Sequence, residues 1–275
     1  RAETGRIYIM NIDHCNTHSS FKDRVYMSNL CQEITLPTDP IQHIDGEGEI
    51  ALCILSAINV GKINSVEELE PLCELAVRSL DEIIDHQKYP VRAAEISTKA
   101  RRSLGIGYIG LAHYLARHKV KYGDKDALKL VDELTEAFQY YLLAASNELA
   151  EEKGACEYFN RTKYSDGILP IDTYKKEVDE LVKPDFKYDW EALRKDIKKH
   201  GLRHSTLTAQ MPSESSSVVS NATNGIEPPR DYLSVKKSKK GTLKQIVPQY
   251  QTLKNNYTLL WDMPDNTGYI NIVAV

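Results

Sequence analysis

The 275-residue sequence contains no long apolar run, no excess of charge of one sign and no paired cysteine motif. No apolar stretch approaches the roughly 18 residues that a transmembrane helix requires, and the first residues show no signal-type hydrophobic segment. The 35 basic and 39 acidic side chains give a net charge of −4, so bulk electrostatics provides no reason to expect a nucleic acid or an anionic membrane as partner. We therefore expect a cytoplasmic protein that recognises any nucleotide through a local site.

The cysteines are odd in number and widely spaced, which excludes a disulfide scaffold. They are Cys15, Cys31, Cys53, Cys73 and Cys156. The sequence has no internal repeat and no low-complexity tract, and 41% apolar residues suffice for a real core. The chain opens on Arg1 rather than Met, which we expect of a part of a longer protein.

Hydrophobic periodicity predicts three firm helices, over residues 65–87, 124–153 and 189–200. A capping-box pattern at Ser65 and Glu68 opens the first helix. The other two helices are predicted to end at glycines that directly follow them, Gly154 and Gly201.

The strand signals are shorter. Residues 6–13 (RIYIMNID) alternate as expected for a strand that enters a polar segment, and residues 202–210 are typical of a short buried strand. The lysine-rich stretch at residues 232–241 favours a solvated loop over a nucleic-acid patch, because no aromatic residues interleave with the lysines. Strands that alternate with helices indicate an α/β fold.

The first candidate site is the segment Asn29-Leu-Cys31-Gln-Glu33-Ile34. In an extended segment alternate side chains share a face, so the amide, the thiol and the carboxylate would point the same way. These groups can hold a polar substrate, react at sulfur and move a proton. A carboxylate near Cys31 disfavours a thiolate, so a reactive Cys31 acts as a neutral thiol or a radical. The alternative is a surface strand with a small buried cysteine.

The second candidate is the hydroxyl-rich run MPSESSSVVSN at residues 211–221. Its pattern predicts a turn at Pro212 and Ser213 that opens a helix, with N–H groups aimed outward as a phosphate cradle. Glu214 must then face away from the phosphate. The alternative is that Ser213 is a simple N-cap.

Three further features give weaker signals. Cys53 lies in the apolar run ALCILSA and is expected to be a core residue. Residues 105–110 match G-x-G-x-x-G, but no hydrophobic strand precedes them, so we favour glycines that let a helix pack closely over a dinucleotide-binding turn. His14, Cys15 and His18 lack a fourth ligand at regular spacing, which argues against a metal site.

Taken in chain order, these motifs resemble the large catalytic (alpha) subunit of class I ribonucleotide reductases. The motifs are RIYIMNIDHCNTH, NLCQE, ALCILSA, MPSESSS, SNATNGIEPPR and the final WDMPDNTGYINIVAV. The resemblance covers nearly the whole chain. It implies a ten-stranded α/β barrel, of which residues 1–275 form the C-terminal part, with Cys31 on a loop inserted into the barrel.

The resemblance also implies residue roles. Cys31 matches the cysteine that carries a transient thiyl radical and abstracts the 3′ hydrogen of the ribose. Glu33 matches the carboxylate that takes the 3′ hydroxyl proton, and Asn29 matches the amide that holds the substrate hydroxyls. Cys53 matches one of two thiols that reduce the sugar as the 2′ hydroxyl leaves as water. The segment around the substrate diphosphate is matched by Pro212, Ser213, Glu214, Ser215 and Ser216.

The chain also departs from the family pattern. The second reducing cysteine, the tyrosine pair that passes the radical, the N-terminal ATP-binding region, the first barrel half and the C-terminal redox tail have no counterpart in it. Tyr140 and Tyr141 are adjacent but lie within a predicted helix.

We therefore expect a partial chain that needs the remaining large-subunit segments, in a homodimer of the complete subunit. Its substrate would be a ribonucleoside diphosphate. The radical would come from a metal-containing small subunit and the reducing equivalents from thioredoxin or glutaredoxin, with no cofactor or metal bound by the chain itself.

Two other functions stay open from the residues alone. One is a non-catalytic nucleotide-binding or assembly module derived from the same fold. The other is a nicotinamide oxidoreductase built on residues 105–110, which would lose cofactor binding on substitution of Gly107.

Overall fold

The computed structural model describes residues 3–5, 8–238 and 241–275. Helices and short 3₁₀ turns dominate this part of the chain. The α-helices are α1 Ile12–His18, α2 Leu69–His86, α3 Arg92–Arg101, α4 Leu111–Arg117, α5 Lys125–Lys153, α6 Pro170–Thr173, α7 Trp190–His200, α8 Glu214–Val219, α9 Tyr250–Leu253 and α10 Thr267–Ala274.

The strands form two separate pairs. Strands β1 (Ile54–Asn59) and β2 (Leu104–Ile109) run parallel, and β3 (Leu233–Ser238) and β4 (Gly241–Ile246) form an antiparallel hairpin. The coarse α/β prediction is confirmed. The described residues contain no closed barrel, so the ten-stranded architecture is not observed in this part of the chain.

The main core lies between the β1–β2 pair and the helices that cover it. Helix α2 packs against both β1 and α5. Its inward face repeats at helical spacing and consists of Leu69, Cys73, Val77, Leu80 and Ile84. Strand β2 is buried along its whole length, as expected for a parallel strand with helices over it.

The predicted helices are confirmed with small changes at their starts. Gly154 is the C-cap of α5 and Gly201 is the C-cap of α7, as predicted. Asp189 is the N-cap of α7, and its side chain accepts a hydrogen bond from the Ala192 N–H at 2.9 Å. The start of α2 differs, because a 3₁₀ turn over Val66–Glu68 precedes it and the Ser65 side chain makes no capping bond.

Two strand and loop predictions are wrong. Residues 8–11 form no strand, and α1 starts at Ile12. Within α1, the Asn16 side chain forms hydrogen bonds with the backbone of Val25. Arg6 and Ile7 lie outside the described residues. The lysine-rich stretch contains strand β3 of the hairpin rather than a loop, and its Leu233 pairs with Ile246 of β4. Lys239 and Lys240 lie outside the described residues.

Gly110 follows β2 as the N-cap of α4, whereas Gly105 and Gly107 lie in β2 itself rather than in a helix, so the predicted close helix packing is wrong for these two glycines. They permit a close approach of residues 206–211, which run parallel to β2 and bond it through Ile106 N–H to the Leu207 carbonyl at 2.8 Å. A Cβ added at Gly107 would lie 2.4 Å from the Ala209 carbonyl oxygen. The first two glycines of the motif therefore lie inside the strand and not at the strand-to-helix turn, where a dinucleotide phosphate would bind. Residues 202–210 are mostly buried, as predicted, but they form no strand and make one isolated bridge, at Thr208.

A buried polar array connects α2, α5 and the segment after α7. Ser146, His204 and Asp81 are hydrogen-bonded in series, at 2.9 Å and 3.2 Å, and all three are fully buried. Burial would raise the pKa of Asp81, but His204 and Arg102 hold it well below its usual range. No substrate reaches these groups, so the array is structural despite its likeness to a hydrolase triad.

In the described part of the chain, no helix combines the length and the apolar content required to cross a bilayer.

Gly107→Ala in the complete subunit is expected to lower the free energy of unfolding by about 1–3 kcal/mol, because the new methyl group meets a backbone carbonyl that cannot rotate away. Urea midpoints measure the effect. Gly123→Ala is the matched control, since an added Cβ there finds nothing within 4 Å. Equal urea midpoints for wild type and Gly107→Ala would contradict the close approach of residues 206–211 to β2.

Candidate active site

The Cys31 loop, defined as residues 25–36, is held at both ends by a small hydrophobic cluster. Phe21, Val25 and Leu36 are buried together, and Ile34 and Cys53 pack against them. Asn16 adds a second restraint, because its amide oxygen accepts from the Val25 N–H at 2.8 Å and its amide nitrogen donates to the Val25 carbonyl at 2.9 Å. The ends of the loop are therefore fixed while its middle is free to project.

The middle of the loop is a turn, so the predicted extended conformation of residues 29–34 is wrong. The Gln32 N–H donates to the Asn29 carbonyl at 3.2 Å, and Gln32 has a positive φ of 62°. The Asn29 N–H donates to the Ile34 carbonyl at 3.3 Å, and the Asn29 side-chain oxygen accepts from the Ile34 N–H at 3.1 Å. The alternation argument for a shared face therefore does not apply, and Asn29 closes the turn.

Cys31 lies in this turn and is exposed. Its neighbour Leu30 is 78% exposed, which is high for a leucine. The alternative interpretation of Cys31 as a small buried core residue is therefore wrong. A thiol in this position is free to meet a molecule that approaches the loop.

The Glu33 carboxylate, which is part of the turn, acts electrostatically on the Cys53 thiol. One carboxylate oxygen of Glu33, Oε2, is buried and finds no hydrogen-bond partner among the described residues. Burial, with a smaller contribution from the Glu33 charge, raises the pKa of the Cys53 thiol to about 12. A buried acceptor without a partner is costly to leave unpaired, so this oxygen is available to a donor that enters from outside.

Cys53 immediately precedes β1 and is half-buried rather than a full core residue. A Cβ added at Gly105 would lie 2.7 Å from the Cys53 sulfur and 3.0 Å from the Ala209 Cβ. The thiol thus lies where β1, β2 and residues 206–211 meet. From Ala209 the chain reaches Ser213 within roughly 13 Å, since an extended residue spans about 3.3 Å.

The serine-rich segment opens α8 as predicted. Ser213 occupies the N-cap position with φ 53°, in the left-handed region, and α8 begins at Glu214. The Ser213 hydroxyl donates to the Met211 carbonyl at 3.3 Å and makes no capping bond, so the simple N-cap interpretation is wrong. Ser215 and Ser216 are exposed in the first turn, where N–H groups have no intrahelical acceptor.

A cleft of about 650 Å³ adjoins this segment, between α8 and the β3–β4 hairpin. Its charged lining consists of Glu214, Glu227, Arg230 and Asp231, so acids outnumber bases. The interior of the cleft therefore does not favour an anion, and a phosphate would have to bind at the first turn of α8. The buried hydroxyl of Thr223, which also lines the cleft, has no partner within the described residues.

The weaker signals form no site. The rings of His14 and His18 lie edge to face at 6.3 Å in α1, and no cluster of metal-ligating side chains occurs in residues 3–5, 8–238 and 241–275. Tyr140 and Tyr141 lie in α5 as predicted, where Tyr140 stacks on Tyr188 at 4.6 Å.

Sequence reasoning missed the residues that support the loop. Two side chains hold its N-terminal end: Asn16 bonds the backbone of Val25, nine residues away, and Arg101, at the end of α3, donates to Asp23 at 2.9 Å. No local pattern marks either residue, since Asn16 lies in a stretch that was expected to be polar loop and Arg101 lies in a charged helix end.

The comparisons with known proteins agree on one family. Residues 1–268 match the family model of the ribonucleotide reductase barrel domain. The whole chain is 62% identical to the ribonucleoside-diphosphate reductase subunit alpha of Haemophilus influenzae, 58% identical to subunit alpha of reductase 1 of Escherichia coli K12, and 43% identical to the bacteriophage T4 subunit alpha. In each case the chain spans 37% of the relative's length.

At pH 8, an alkylating reagent is expected to label Cys31 first and Cys53 far more slowly, because a pKa of about 12 leaves about one Cys53 thiol in ten thousand as thiolate. Peptide mapping by mass spectrometry gives the two rates. Glu33→Gln should raise the Cys53 rate, because it removes the negative charge that opposes ionisation. Buried Cys156, whose pKa is also raised to about 12, provides a slow internal reference. If Cys53 were labelled as fast as Cys31, the assignment of Cys31 as the exposed thiol and of Cys53 as the thiol with the raised pKa would be contradicted.

Proposed function

The chain belongs to the ribonucleotide reductase barrel-domain family, and from this premise we propose that it carries the substrate-reducing centre of a ribonucleoside-diphosphate reductase large subunit. The observation that carries the proposal is the turn closed by Asn29, which contains both the exposed Cys31 and Glu33, whose charge acts on the Cys53 thiol. The relatives are named ribonucleoside-diphosphate reductases, which supports a diphosphate substrate.

In the proposed reaction Cys31, as a thiyl radical, takes the 3′ hydrogen of the ribose and becomes a thiol. The buried Glu33 oxygen accepts the 3′ hydroxyl proton, a role supported by its lack of a competing partner. Asn29 would orient the substrate hydroxyls with its amide nitrogen, since its amide oxygen is already engaged by the Ile34 N–H.

Cys53 would then deliver a proton and reducing equivalents as the 2′ hydroxyl leaves as water. Two thiols become one disulfide and the sugar is reduced by two electrons, after which the 3′ hydrogen returns from Cys31 and the radical is regenerated. The second thiol would come from another segment of the large subunit. The raised pKa of Cys53 supports its role, because the thiol stays protonated until the leaving hydroxyl takes the proton.

The diphosphate would bind at residues 212–216. The exposed first turn of α8 supports this assignment, since Ser215 and Ser216 offer backbone N–H groups, whereas the Ser216 hydroxyl donates to the Ser213 carbonyl at 3.4 Å. Because α8 spans only six residues, its dipole is small and the individual donors must do most of the binding. Glu214 would have to turn away from the phosphates.

We propose that residues 1–275 form the C-terminal part of the ten-stranded barrel domain, with the Cys31 loop inserted into it. The chain spans 37% of the length of its relatives, so the reaction would require the remaining large-subunit segments. The other partners would be a metal-containing small subunit that generates the radical, thioredoxin or glutaredoxin, and a second large subunit in a homodimer.

Cys31→Ser, made in the complete large subunit and assayed with the small subunit, is expected to abolish deoxyribonucleotide formation while nucleotide binding survives, because a serine hydroxyl does not form the required radical. Product formation and equilibrium binding are the two measurements. Cys15→Ser is the matched control, since Cys15 is a half-buried free thiol in α1. Retained turnover in Cys31→Ser would refute the mechanism, and absence of turnover in the wild-type assembly would instead favour a non-catalytic assembly module.

Ser215→Asp is expected to raise the KM for the diphosphate substrate by about tenfold, equivalent to about 1.4 kcal/mol, because it adds a negative charge at the exposed first turn of α8. Steady-state kinetics of the complete enzyme measure the effect. The control is Thr252→Asp, which adds the same charge at an exposed position of α9. If both variants share the wild-type KM, the phosphates bind elsewhere.

A further inference from the structure

The position of the Cys31 loop depends on its two stems, the segments that directly precede and follow residues 25–36. The middle of the loop makes few contacts outside itself. The hydrogen bonds of Asn29 close the turn internally, and Met27 and Leu30 are largely exposed. Whatever fixes the two stems therefore fixes where the sulfur of Cys31 lies.

Two arginines hold both stems at once. Arg101, which is 2% exposed at the end of α3, donates to both carboxylate oxygens of Glu49, at 2.5 Å and 2.8 Å, and to Asp23 at 2.9 Å. Arg161 contacts the same Asp23 oxygen at 2.8 Å, Glu49 at 3.4 Å and Asp39 at 3.9 Å. Asp23 precedes the loop and Asp39 follows it.

The second stem is closed by backbone bonds as well. Asp39 and Glu49 exchange N–H to carbonyl hydrogen bonds at 3.3 Å and 3.2 Å, so the carboxylate of Glu49 is anchored beside the stem. Burial alone would raise the pKa of Glu49, but the hydrogen bonds and charge of Arg101 lower it, which keeps Glu49 ionised. The stem is therefore tied to α3 through a charged, bidentate contact.

The positions of the two arginines are fixed by contacts with Tyr158 and by backbone hydrogen bonds. Both guanidinium groups stack on Tyr158, at 5.2 Å for Arg101 and 4.4 Å for Arg161. The Tyr158 N–H donates to the Ala100 carbonyl at 3.0 Å, and the Lys22 N–H donates to the Arg161 carbonyl at 2.9 Å. The two arginines, the tyrosine and the three carboxylates form one connected unit, which we call the arginine clamp.

We propose that Arg161 and Arg101 are positioning residues that set the placement of the Cys31 sulfur against the ribose, an inference that rests on the proposed function. Hydrogen abstraction requires close approach of the reacting atoms, and a displacement of about 1 Å can cost about 100-fold in rate. The clamp contacts no residue of the 212–216 segment, so its loss should affect the chemical step rather than phosphate binding.

Arg161 is the residue to substitute. Its side chain is 32% exposed, and its loss leaves the fully buried Arg101–Glu49 pair intact. Loss of Arg101 would leave buried carboxylates without a partner and destabilise the fold, so that a fall in kcat could not be attributed to the position of the loop.

The experiment compares Arg161→Gln and Arg161→Lys in the complete large subunit, assayed with the small subunit. Arg161→Gln is expected to lower kcat by about 10- to 100-fold with KM within about twofold of wild type. Arg161→Lys should recover part of kcat, because a single ammonium cannot bridge three carboxylates as a guanidinium does. Hydrogen exchange in the Arg161→Gln variant should increase in residues 25–36 and not in α8.

Arg194→Gln is the matched control, because Arg194 also pairs with two carboxylates, Asp172 at 2.6 Å and Glu191 at 3.0 Å, and contacts neither stem. Its kcat should equal that of wild type. The inference is overturned if Arg161→Gln keeps wild-type kcat, or if kcat falls equally in Arg194→Gln. If Cys31→Ser also turns over, the proposed function has failed; if Cys31→Ser is inactive and Arg161→Gln is normal, the clamp inference alone has failed.

Discussion

Two consecutive buried arginines at the end of α3 form ion pairs with carboxylates in two different parts of the molecule. Arg101 binds Glu49 and Asp23 under the Cys31 loop, whereas Arg102, in the left-handed conformation at φ 48°, turns the other way and binds Asp81 and Asp85 of α2. Buried ion pairs add little net stability, since desolvation offsets most of the attraction, but breaking one strands a charge. These ion pairs contribute specificity, because two adjacent residues fix the positions of both the Cys31 loop and the α2–α5 layer relative to β2. Strand β2 begins two residues after Arg102.

The close approach of β2 to its neighbours follows from its glycines. Side chains at Gly105 and Gly107 would displace the Cys53 sulfur and the Ala209 carbonyl, so only glycine allows the thiol and residues 206–211 to lie along β2. This explains why the motif in residues 105–110 has the form of a nucleotide fingerprint without its function. Its glycines remove side chains between strands, whereas a dinucleotide turn uses them to admit a phosphate.

Local patterns predicted the features that local interactions decide. Gly154 and Gly201 end α5 and α7 where the sequence indicates, and the serine-rich turn opens α8. The shape of the Cys31 loop was predicted wrongly, because alternation assumes extended backbone and the side-chain oxygen of Asn29 instead stabilises a turn. The arginine clamp could not be predicted, since Arg101 and Glu49 are far apart in sequence and nothing in either neighbourhood indicates the other. Sequence patterns thus singled out Cys31, which the structure shows to be exposed, but not the residues that hold its loop.

Under the proposed function the two thiols need opposite surroundings, and the fold provides them. Cys31 must meet both a radical source and a substrate, and it lies exposed in a turn whose ends are fixed. Cys53 must keep its proton until the sugar hydroxyl leaves, and burial beside the Glu33 carboxylate raises its pKa for that purpose. The same carboxylate oxygen lacks a partner and so is ready to accept a substrate proton. One negative charge therefore contributes to both steps: it adds to the effect of burial that keeps the reducing thiol neutral, and it accepts the hydroxyl proton of the ribose.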